Sequence, residues 1–186
     1  IAPQTTLGLN VRQMVQDIEH SDLIVAWGKN SATDEGPQVM IRRIKAAQER
    51  GAKLIVVDPR ETGLGEIADW WIPITPGADG AFALAVLKIA IERKLYDADF
   101  VDRFVEGFEE YVAYLDTLSL EALSFQCGVS LADIERFAQE LAGTTAASLV
   151  AYTGLEYAPT ATQANRAIYV LWGITGKLDV EGGIYL

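Results

Sequence analysis

Three short, continuous apolar runs stand out along the chain, at residues 22–27 (DLIVAW), 53–57 (KLIVV) and 148–152 (SLVAY). Apolar residues without alternation indicate strands that are buried on both faces, as in parallel sheets. A further run at residues 70–74 (WWIPI) predicts an edge strand, because Pro73 cannot donate a hydrogen bond to a neighbouring strand. The pattern therefore predicts a mainly parallel sheet.

Helical spacing of apolar residues fills the segments between these runs. The predicted helices cover residues 8–20, 37–50, 79–93, 98–125 (as two or three short helices), 130–141 and 160–174. A strand, a helix and a second strand over residues 22–57 make a βαβ unit, whose crossover should be right-handed. We therefore predict an α/β fold similar to the Rossmann fold, with a mainly parallel sheet, helices on both faces and a helical insertion near residues 95–145.

Composition narrows the classes of function. The chain has 186 residues, half of them hydrophobic, which suffices for one sizeable core. A formal net charge of −11 without basic runs argues against a nucleic-acid partner. One cysteine, Cys127, excludes an intrachain disulfide and an iron–sulfur site built from several cysteines, and one histidine, His20, leaves little room for a zinc site. The longest uncharged run, Leu141 to Leu155, is shorter than the roughly 20 residues that span a membrane, so no span is predicted.

The loops after the strands are the places where function is expected. Ligands of open parallel sheets bind outside the carboxyl ends of the strands, here the loops at residues 27–36, 58–66 and 153–160. The chain carries no Gly-x-Gly-x-x-Gly after a strand and no Walker phosphate loop. The first absence argues against a dehydrogenase that binds NAD through the usual glycine-rich loop. The second excludes a P-loop nucleotide site.

The segment at residues 58–62 (DPRET) directly follows the second predicted strand. A carboxylate at Asp58 can accept two hydrogen bonds from a ribose diol or a guanine edge, and the planar guanidinium of Arg60 suits a phosphate. The same residue types also make an ordinary turn, in which Pro59 fixes φ and Asp58 accepts a backbone amide. Both interpretations stay open on these residues alone.

Two other loops carry similar residue types. In the segment at residues 76–81 (PGADGA), Asp79 is either the N-cap of the following helix or a ligand of a base or sugar. After the first strand, Gly28 permits close approach to the backbone, Lys29 suits a phosphate and Asn30 suits a polar ligand edge. The alternative for this loop is a tight turn beside a half-buried tryptophan.

Four segments stand in a particular order along the chain, at residues 22–30 (DLIVAWGKN), 57–62 (VDPRET), 76–81 (PGADGA) and 171–183 (LWGITGKLDVEGG). In this order they resemble the molybdopterin oxidoreductase family, which includes formate dehydrogenases, nitrate reductases, dimethyl sulfoxide reductases and thiosulfate or polysulfide reductases. No single segment is specific to this family, but the four segments in this order are. The loop at residues 153–157, together with the ending LDVEGG, slightly favours the thiosulfate or polysulfide reductase branch.

The resemblance implies that residues 1–186 form a single α/β domain, a fragment of a larger catalytic subunit. This domain would hold the guanosine end of one molybdopterin guanine dinucleotide, with Thr153 and Gly154 towards the pterin and the metal. The cofactor-binding residues that the resemblance implies are Trp27, Gly28, Asn30, Asp58, Pro59, Arg60, Thr62, Gly77, Asp79, Thr153 and Gly154.

The resemblance also implies which parts of the enzyme lie outside this chain. The family's metal ligand lies upstream of the Trp-Gly-x-Asn loop, and many members carry an N-terminal cysteine motif for an iron–sulfur cluster, whereas residues 1–21 contain no cysteine. We therefore expect molybdenum or tungsten only in the full-length protein, any iron–sulfur cluster outside this chain, and an isolated chain that is inactive. The expected partners are the remaining domains of the same subunit and an iron–sulfur electron-transfer subunit. Both a periplasmic location, after twin-arginine export, and a cytoplasmic one stay open.

Two alternative functions remain on the sequence. One is a nucleotide-binding domain of another enzyme class, such as the central domain of thiamine-diphosphate enzymes or a dehydrogenase. The other is a structural domain that contacts another subunit, which the aromatic-rich stretch at residues 96–125 suggests.

Overall fold

The computed structural model describes residues 1–8, 14–32 and 39–186. Its strands are β1 (Val15–Gln16), β2 (Leu23–Trp27), β3 (Lys53–Val57), β4 (Trp70–Ile72), β5 (Ala147–Ala151) and β6 (Ile184–Tyr185). Four of them form a parallel sheet in the order β4-β3-β2-β5, and β1 pairs with β6 in a small antiparallel sheet. The predicted parallel sheet is confirmed.

Helices surround this sheet. They are α1 (Ala2–Thr6), α2 (Val39–Glu49), α3 (Asp79–Glu92), α4 (Ala98–Phe104), α5 (Phe108–Asp116), α6 (Leu120–Cys127), α7 (Leu131–Ala142), α8 (Thr153–Glu156) and α9 (Ala161–Ile174). The predicted helix at 37–50 is found from Val39, and its first two positions lie outside the described residues. None of the helices in the described part of the chain is long and apolar enough to cross a membrane.

Both faces of the sheet are covered, because successive residues of a strand point to opposite sides. In β2, Ile24 and Ala26 pack in one core together with α2, whereas Val25 and Trp27 lie in a larger core with α3, α7 and α9. Every residue of β2 is buried. This double burial explains the unbroken apolar run and confirms the prediction of helices on both faces.

The central strands end at the same level. Trp27, at the end of β2, pairs with Val57 on one side and with Ala151 on the other. Strand β4 lies at the edge and ends at Ile72, just before Pro73, as predicted. The loops that follow these strands therefore begin side by side along one edge of the sheet.

The predicted helix over residues 8–20 is wrong in its second half. Val15–Gln16 is a strand, and only Ile18–His20 forms a short 3₁₀ turn, while residues 9–13 lie outside the described residues. The Asp17 carboxylate accepts the Gly182 amide at 3.0 Å, and the Asp17 amide donates to the Gly183 carbonyl, also at 3.0 Å. These long-range bonds replace the local bonds of a helix, and helical spacing cannot reveal them.

The helical insertion is confirmed as four helices, α4 to α7, which local caps delimit. The side chains of Asp97, Ser119 and Ser130 accept backbone amides at the starts of α4, α6 and α7, at 2.9 to 3.1 Å. Each cap satisfies an amide that the first turn of a helix leaves without a partner. Short helices can therefore follow one another in this segment, with their apolar faces on the larger core.

A glycine turn near residue 182 connects the parallel sheet to the small antiparallel sheet of β1 and β6 through hydrogen bonds. The Ser21 hydroxyl lies 2.8 Å from both the Ser148 hydroxyl and the Gly182 carbonyl oxygen, and all three groups are buried. Gly182 has a φ of +73°, and a Cβ atom there would lie 2.5 Å from the His20 carbonyl oxygen. Only glycine fits this position without displacing the backbone.

Replacement of Gly182 by alanine should therefore cost far more stability than the same change at Gly107. Gly107 has nearly the same φ, +72°, but the nearest atom to its Cβ position is 3.9 Å away, at the end of a flexible Glu110 side chain. We expect Gly107→Ala to lower the free energy of unfolding by about 1 kcal/mol, and Gly182→Ala by about 3 kcal/mol or more. Urea denaturation measures both. Equal losses would show that φ alone, and not the close packing, requires glycine at position 182.

Candidate functional site

The candidate site lies at the carboxyl edge of the sheet, where the chain turns to opposite faces. After β2 the chain leads to α2 on one face, whereas after β5 it leads to α9 on the other. Neighbouring strands whose connections diverge in this way leave a crevice between them, and such crevices are the usual ligand sites of open α/β sheets. The crevice here lies between Trp27 and Ala151, the ends of β2 and β5.

Two predicted site glycines form the contact between these loops. The Gly154 amide donates to the Gly28 carbonyl oxygen at 2.8 Å. A Cβ atom on Gly154 would lie 2.6 Å from the Gly28 Cα, and Gly28 itself has a φ of +60°. The first role of both glycines is thus to let two backbones touch, which places the loops after β2 and β5 against each other.

Trp27 and Asp79 join the hydrophobic core to the site. The Trp27 indole donates to the Asp79 carboxylate, with 2.9 Å between Nε1 and Oδ1, and both residues are buried. The Trp27 ring also packs against Phe82 and Phe137. Asp79 is the first residue of α3, after Ala78, and no side chain caps this helix, so the N-cap alternative for Asp79 is not what the structure shows.

The surroundings of Asp79 disfavour its charge. Burial raises the pKa of the Asp79 carboxyl above its ordinary value, the hydrogen bond from Trp27 lowers it, and the negative charge of Asp58 raises it further. Asp58 directly follows Val57, which pairs with Trp27, so Asp58 and the Trp27-bound Asp79 lie at neighbouring strand ends although 21 positions separate them along the chain. A buried carboxyl whose charge is disfavoured by its surroundings is costly, which is typical of residues kept for function.

The segment after β3 forms the turn that the sequence left open as an alternative. The Asp58 carboxylate accepts the Arg60 amide at 2.9 Å, and the Trp71 indole donates to the Asp58 carbonyl oxygen at 2.9 Å. Asp58 is half-buried, whereas Pro59 and Arg60 are exposed at the rim. The turn does not exclude ligand contacts, because a carboxylate has about four acceptor positions and this turn occupies one of them.

Two buried hydroxyl groups mark a contact between the loops after β2 and β3. The side-chain oxygens of Ser31 and Thr62 lack hydrogen-bond partners in the part of the chain that the structure describes. The loops touch there, since a Cβ on Gly63 would lie 2.8 Å from the Ala32 Cβ. A buried hydroxyl without a partner costs about 1–3 kcal/mol. Thr62 is a predicted site residue, whereas Ser31 was missed and would have been signalled only by its position after Asn30.

The remaining predicted residues lie on the same edge but are less closely connected. Gly77 is exposed with a φ of +77°, and its carbonyl oxygen lies 3.5 Å from the Thr160 hydroxyl. Thr153 is the first residue of α8, and both Thr153 and Asn30 are half-buried. The edge thus combines carboxylates, hydroxyls, a guanidinium and exposed backbone, which is the set of groups that a nucleotide requires.

The described residues fit the organic end of a dinucleotide and not a metal ion. Within residues 1–8, 14–32 and 39–186, no group of three or more His, Cys, Asp or Glu side chains could hold a metal. A cavity of about 1330 Å³ lies among α3, α5 and α9, its lining includes Leu84, Phe100 and Tyr111, and it reaches Gly77. Polar and charged side chains, among them Glu106 and Arg166, line this cavity as well.

Comparison with known proteins identifies the family. The profile described as molybdopterin oxidoreductase matches residues 5–185. The chain belongs to the molybdopterin oxidoreductase family. Its membership agrees with the ordered segments of the sequence and with the α/β fold.

Several characterised family members are similar to the chain. It is 35% identical over 164 residues to the assimilatory nitrate reductase catalytic subunit of Bacillus subtilis, covering 88% of this chain and 23% of that protein. It is 32% identical to the thiosulfate reductase molybdopterin-containing subunit of Salmonella typhimurium, over 92% of this chain and 23% of that protein. Since these identities are nearly equal, the slight preference for the thiosulfate branch stays a prediction.

A solved structure shares the fold. Acetylene hydratase from Pelobacter acetylenicus superposes with a TM-score of 0.85 at 30% sequence identity, over 93% of this chain and 24% of that one. The chain spans about a quarter of the length of the relatives that it matches. The relatives of this chain include oxidoreductases that act on different substrates, among them nitrate reductase and thiosulfate reductase.

Replacement of Asp79 by asparagine should leave the fold at least as stable at neutral pH. The raised pKa of Asp79 means that its protonated form favours folding, a contribution fully present below the unfolded pKa near 3.8 and lost as the pH rises through the folded pKa. Asparagine cannot ionise, yet its side-chain oxygen still accepts the Trp27 indole. Urea denaturation at pH 7 should give Asp79→Asn an equal or higher midpoint than the wild type, with the difference shrinking towards pH 4.

Asp102, exposed on α4, provides the control. Asp102→Asn should shift neither the midpoint nor its pH dependence. A loss of stability for Asp79→Asn at pH 7 would contradict the argument, because it would mean that the ionised carboxylate stabilises the fold.

Proposed function

We propose that this chain is the dinucleotide-binding domain of a molybdenum or tungsten oxidoreductase and that it holds the guanosine end of one molybdopterin guanine dinucleotide. The observation that carries the proposal is the pair of carboxylates, Asp58 and Asp79, which lie close together beside the crevice at the carboxyl edge of the sheet. Guanine presents two adjacent N–H donors on one edge and ribose presents a diol. Carboxylates are the side chains that accept from both.

Each residue has a distinct role in this proposal. Asp79, held by Trp27, keeps acceptor positions for the guanine N–H groups, because the indole occupies only one of them. Asp58, fixed by its own turn, accepts from the ribose hydroxyls, and the exposed Arg60 beside it contacts a phosphate. Gly28 and Gly77 let the ligand approach the backbone, and Thr153 begins the loop that faces the pterin.

The bound group supplies the redox chemistry, through a metal held by its pterin. The part of this chain is to bind and orient the dinucleotide. We propose that residues 1–186 act as one domain of a larger catalytic subunit and that the metal ligand and any iron–sulfur cluster come from outside the chain. The remaining domains of that subunit and an iron–sulfur electron-transfer subunit are the proposed partners.

The main rival function is a nucleotide-binding domain for another base. Adenine has an acceptor at N1 where guanine has a donor, so a carboxylate pair favours guanine. The absence of a Gly-x-Gly-x-x-Gly segment after a strand also disfavours the dehydrogenase alternative. The structural-domain alternative depends on the aromatic residues of the insertion. Several of these pack on one another, as Tyr96 does on Phe108, and so support the core.

Loss of either carboxylate should empty the cofactor site without unfolding the protein. In the full-length protein that carries this chain, we expect Asp58→Asn and Asp79→Asn each to lower cofactor affinity about tenfold or more, because an amide presents its N–H₂ to the guanine donors. Metal content by mass spectrometry and release of guanosine monophosphate after acid hydrolysis measure occupancy.

The exposed Asp102→Asn variant should retain full occupancy. If both site variants keep normal metal and guanine content, the assignment of these carboxylates to the guanosine is wrong. If guanine content is nil in the wild type while metal is present, the dinucleotide form of the cofactor is wrong.

A further inference from the structure

The cavity of about 1330 Å³ lies where the helical insertion meets α3 and α9. We call the part of it that is lined by Phe100, Phe104, Phe108, Tyr111 and Tyr114 the insertion groove. Phe104 is 62% exposed and Tyr114 is 48% exposed. Exposed aromatic side chains gathered on one surface indicate a place that another segment or molecule covers.

The two exposed rings are held in place by less exposed rings beside them. Phe104 packs on Phe100 with 5.2 Å between the ring centroids, and Tyr114 packs on Tyr111 with 6.0 Å. The Arg103 guanidinium also lies over the Phe104 ring, 4.7 Å from its centroid. Side chains that are already ordered lose little conformational entropy when a partner covers them, and buried aromatic rings supply much of the binding energy of interfaces.

A short apolar helix already packs beside the insertion groove. Helix α1 contacts α9, Ala2 is buried in the larger core, and residues 5–7 line the cavity. The cavity of about 1330 Å³ remains among the described residues with α1 in place. The groove therefore has room for the side chains of a further segment.

The insertion wall of the groove is acidic. Residues 98–116, which form α4 and α5, contain a single basic side chain, Arg103, which pairs with Asp99. The same stretch contains six exposed carboxylates, at Asp99, Asp102, Glu106, Glu109, Glu110 and Asp116. On the opposite wall, α9 contributes one cation, Arg166. Because complementary charge attracts a partner and like charge repels it, the insertion wall favours a basic segment and disfavours a second copy of this chain, whose net charge is −11.

The length of the relatives indicates where such a segment comes from. The chain spans about a quarter of the proteins that it matches, so most of the polypeptide of the larger subunit proposed above lies outside it. A segment that is joined to this domain through the polypeptide meets the groove at an effective concentration of about millimolar, which a separate molecule rarely reaches. The same subunit is therefore the favoured source of the partner.

We propose that the insertion groove is the docking surface for another segment of the same subunit, an apolar segment flanked by basic residues. Phe104 and Tyr114 are the aromatic anchors of this contact, and the carboxylates of α4 and α5 meet the basic residues. The inference rests on the proposed function, since that function makes this chain one domain of a larger subunit. It goes further by assigning the surface and the chemistry of the segment that covers it.

Crosslinking in the full-length protein that carries this chain reports what covers the groove. The photo-crosslinking amino acid p-benzoylphenylalanine replaces Tyr114, and peptide mass spectrometry identifies the residue to which it attaches. We expect an intramolecular crosslink to an apolar segment with flanking Lys or Arg residues, outside residues 1–186. The same amino acid in place of Phe125, which is 91% exposed and does not line the groove, should attach to that segment several-fold less often.

Substitutions separate the apolar contribution from the electrostatic one. Phe104→Asp places a carboxylate at an apolar contact and should lower the crosslink yield from position 114 several-fold, whereas Phe125→Asp should leave it unchanged. Glu106→Lys should also lower the yield, because it repels a basic segment, and added salt should reduce this difference. Glu49→Lys, on α2 at the opposite face of the sheet, is the matched control and should have no effect.

Other occupants would give different crosslinks, and each would overturn the inference. A crosslinked dimer would identify a second copy as the partner, and a crosslink to a separate subunit or to residues 9–13 of this chain would identify another occupant. Absence of a crosslink from position 114, or equal yields from positions 114 and 125, would show that no segment docks specifically in the groove.

The metal and guanine content of the same preparation tests the proposed function separately. Normal content without a crosslink from position 114 would overturn the docking inference alone. A crosslink from position 114 to a segment outside residues 1–186, in a protein that contains no guanine, would support the docking and count against the assignment of the cofactor.

Discussion

The hydrogen bond between the Trp27 indole and the Asp79 carboxylate connects the interior of the molecule to its ligand edge. Trp27 ends the central strand β2 and packs against aromatic rings of α3 and α7, so its position is set by the whole larger core. Asp79 is the first residue of α3, and its carboxylate accepts a hydrogen bond from that indole. Displacing the tryptophan would move the carboxylate, and displacing α3 would remove the partner of the indole. The positions of the Trp27 and Asp79 side chains therefore depend on the packing of the core.

The same contact has a cost in stability. A carboxyl with a raised pKa is kept where a neutral amide would satisfy the indole equally well. The hydroxyls of Ser31 and Thr62, which have no hydrogen-bond partner among the described residues, present a similar cost at the neighbouring loop contact. Groups of this kind, gathered at one edge of an otherwise well-packed domain, are expected where a ligand completes the hydrogen bonding.

The local sequence pattern was sufficient to predict the strands and helices that depend on local interactions. Strands buried on both faces leave unbroken apolar runs, and capped helices begin at recognisable residues such as Ser130. The prediction failed at Asp17, whose bonds to Gly182 and Gly183 depend on a distant turn. For the site, the sequence supplied residue types but not partners. The closeness of Lys29 to Tyr152, and the burial of Ser31, follow from the strand order β4-β3-β2-β5, which apolar spacing does not encode.

The strand order also determines at which stage of folding the crevice between β2 and β5 forms. One wall, from β2 and β3 with the Asp79 end of α3, is complete in the first half of the chain, whereas β5 follows only after the four helices of the insertion. Pairing between β2 and β5 closes a long loop, and contacts of this kind are slow to form. A chain still being synthesised therefore holds Lys29, Asp58 and Asp79 before the loop after β5, with Tyr152 and Gly154, can pack against them. The crevice between β2 and β5 therefore forms only after the four helices of the insertion have been synthesised and β5 has paired with β2.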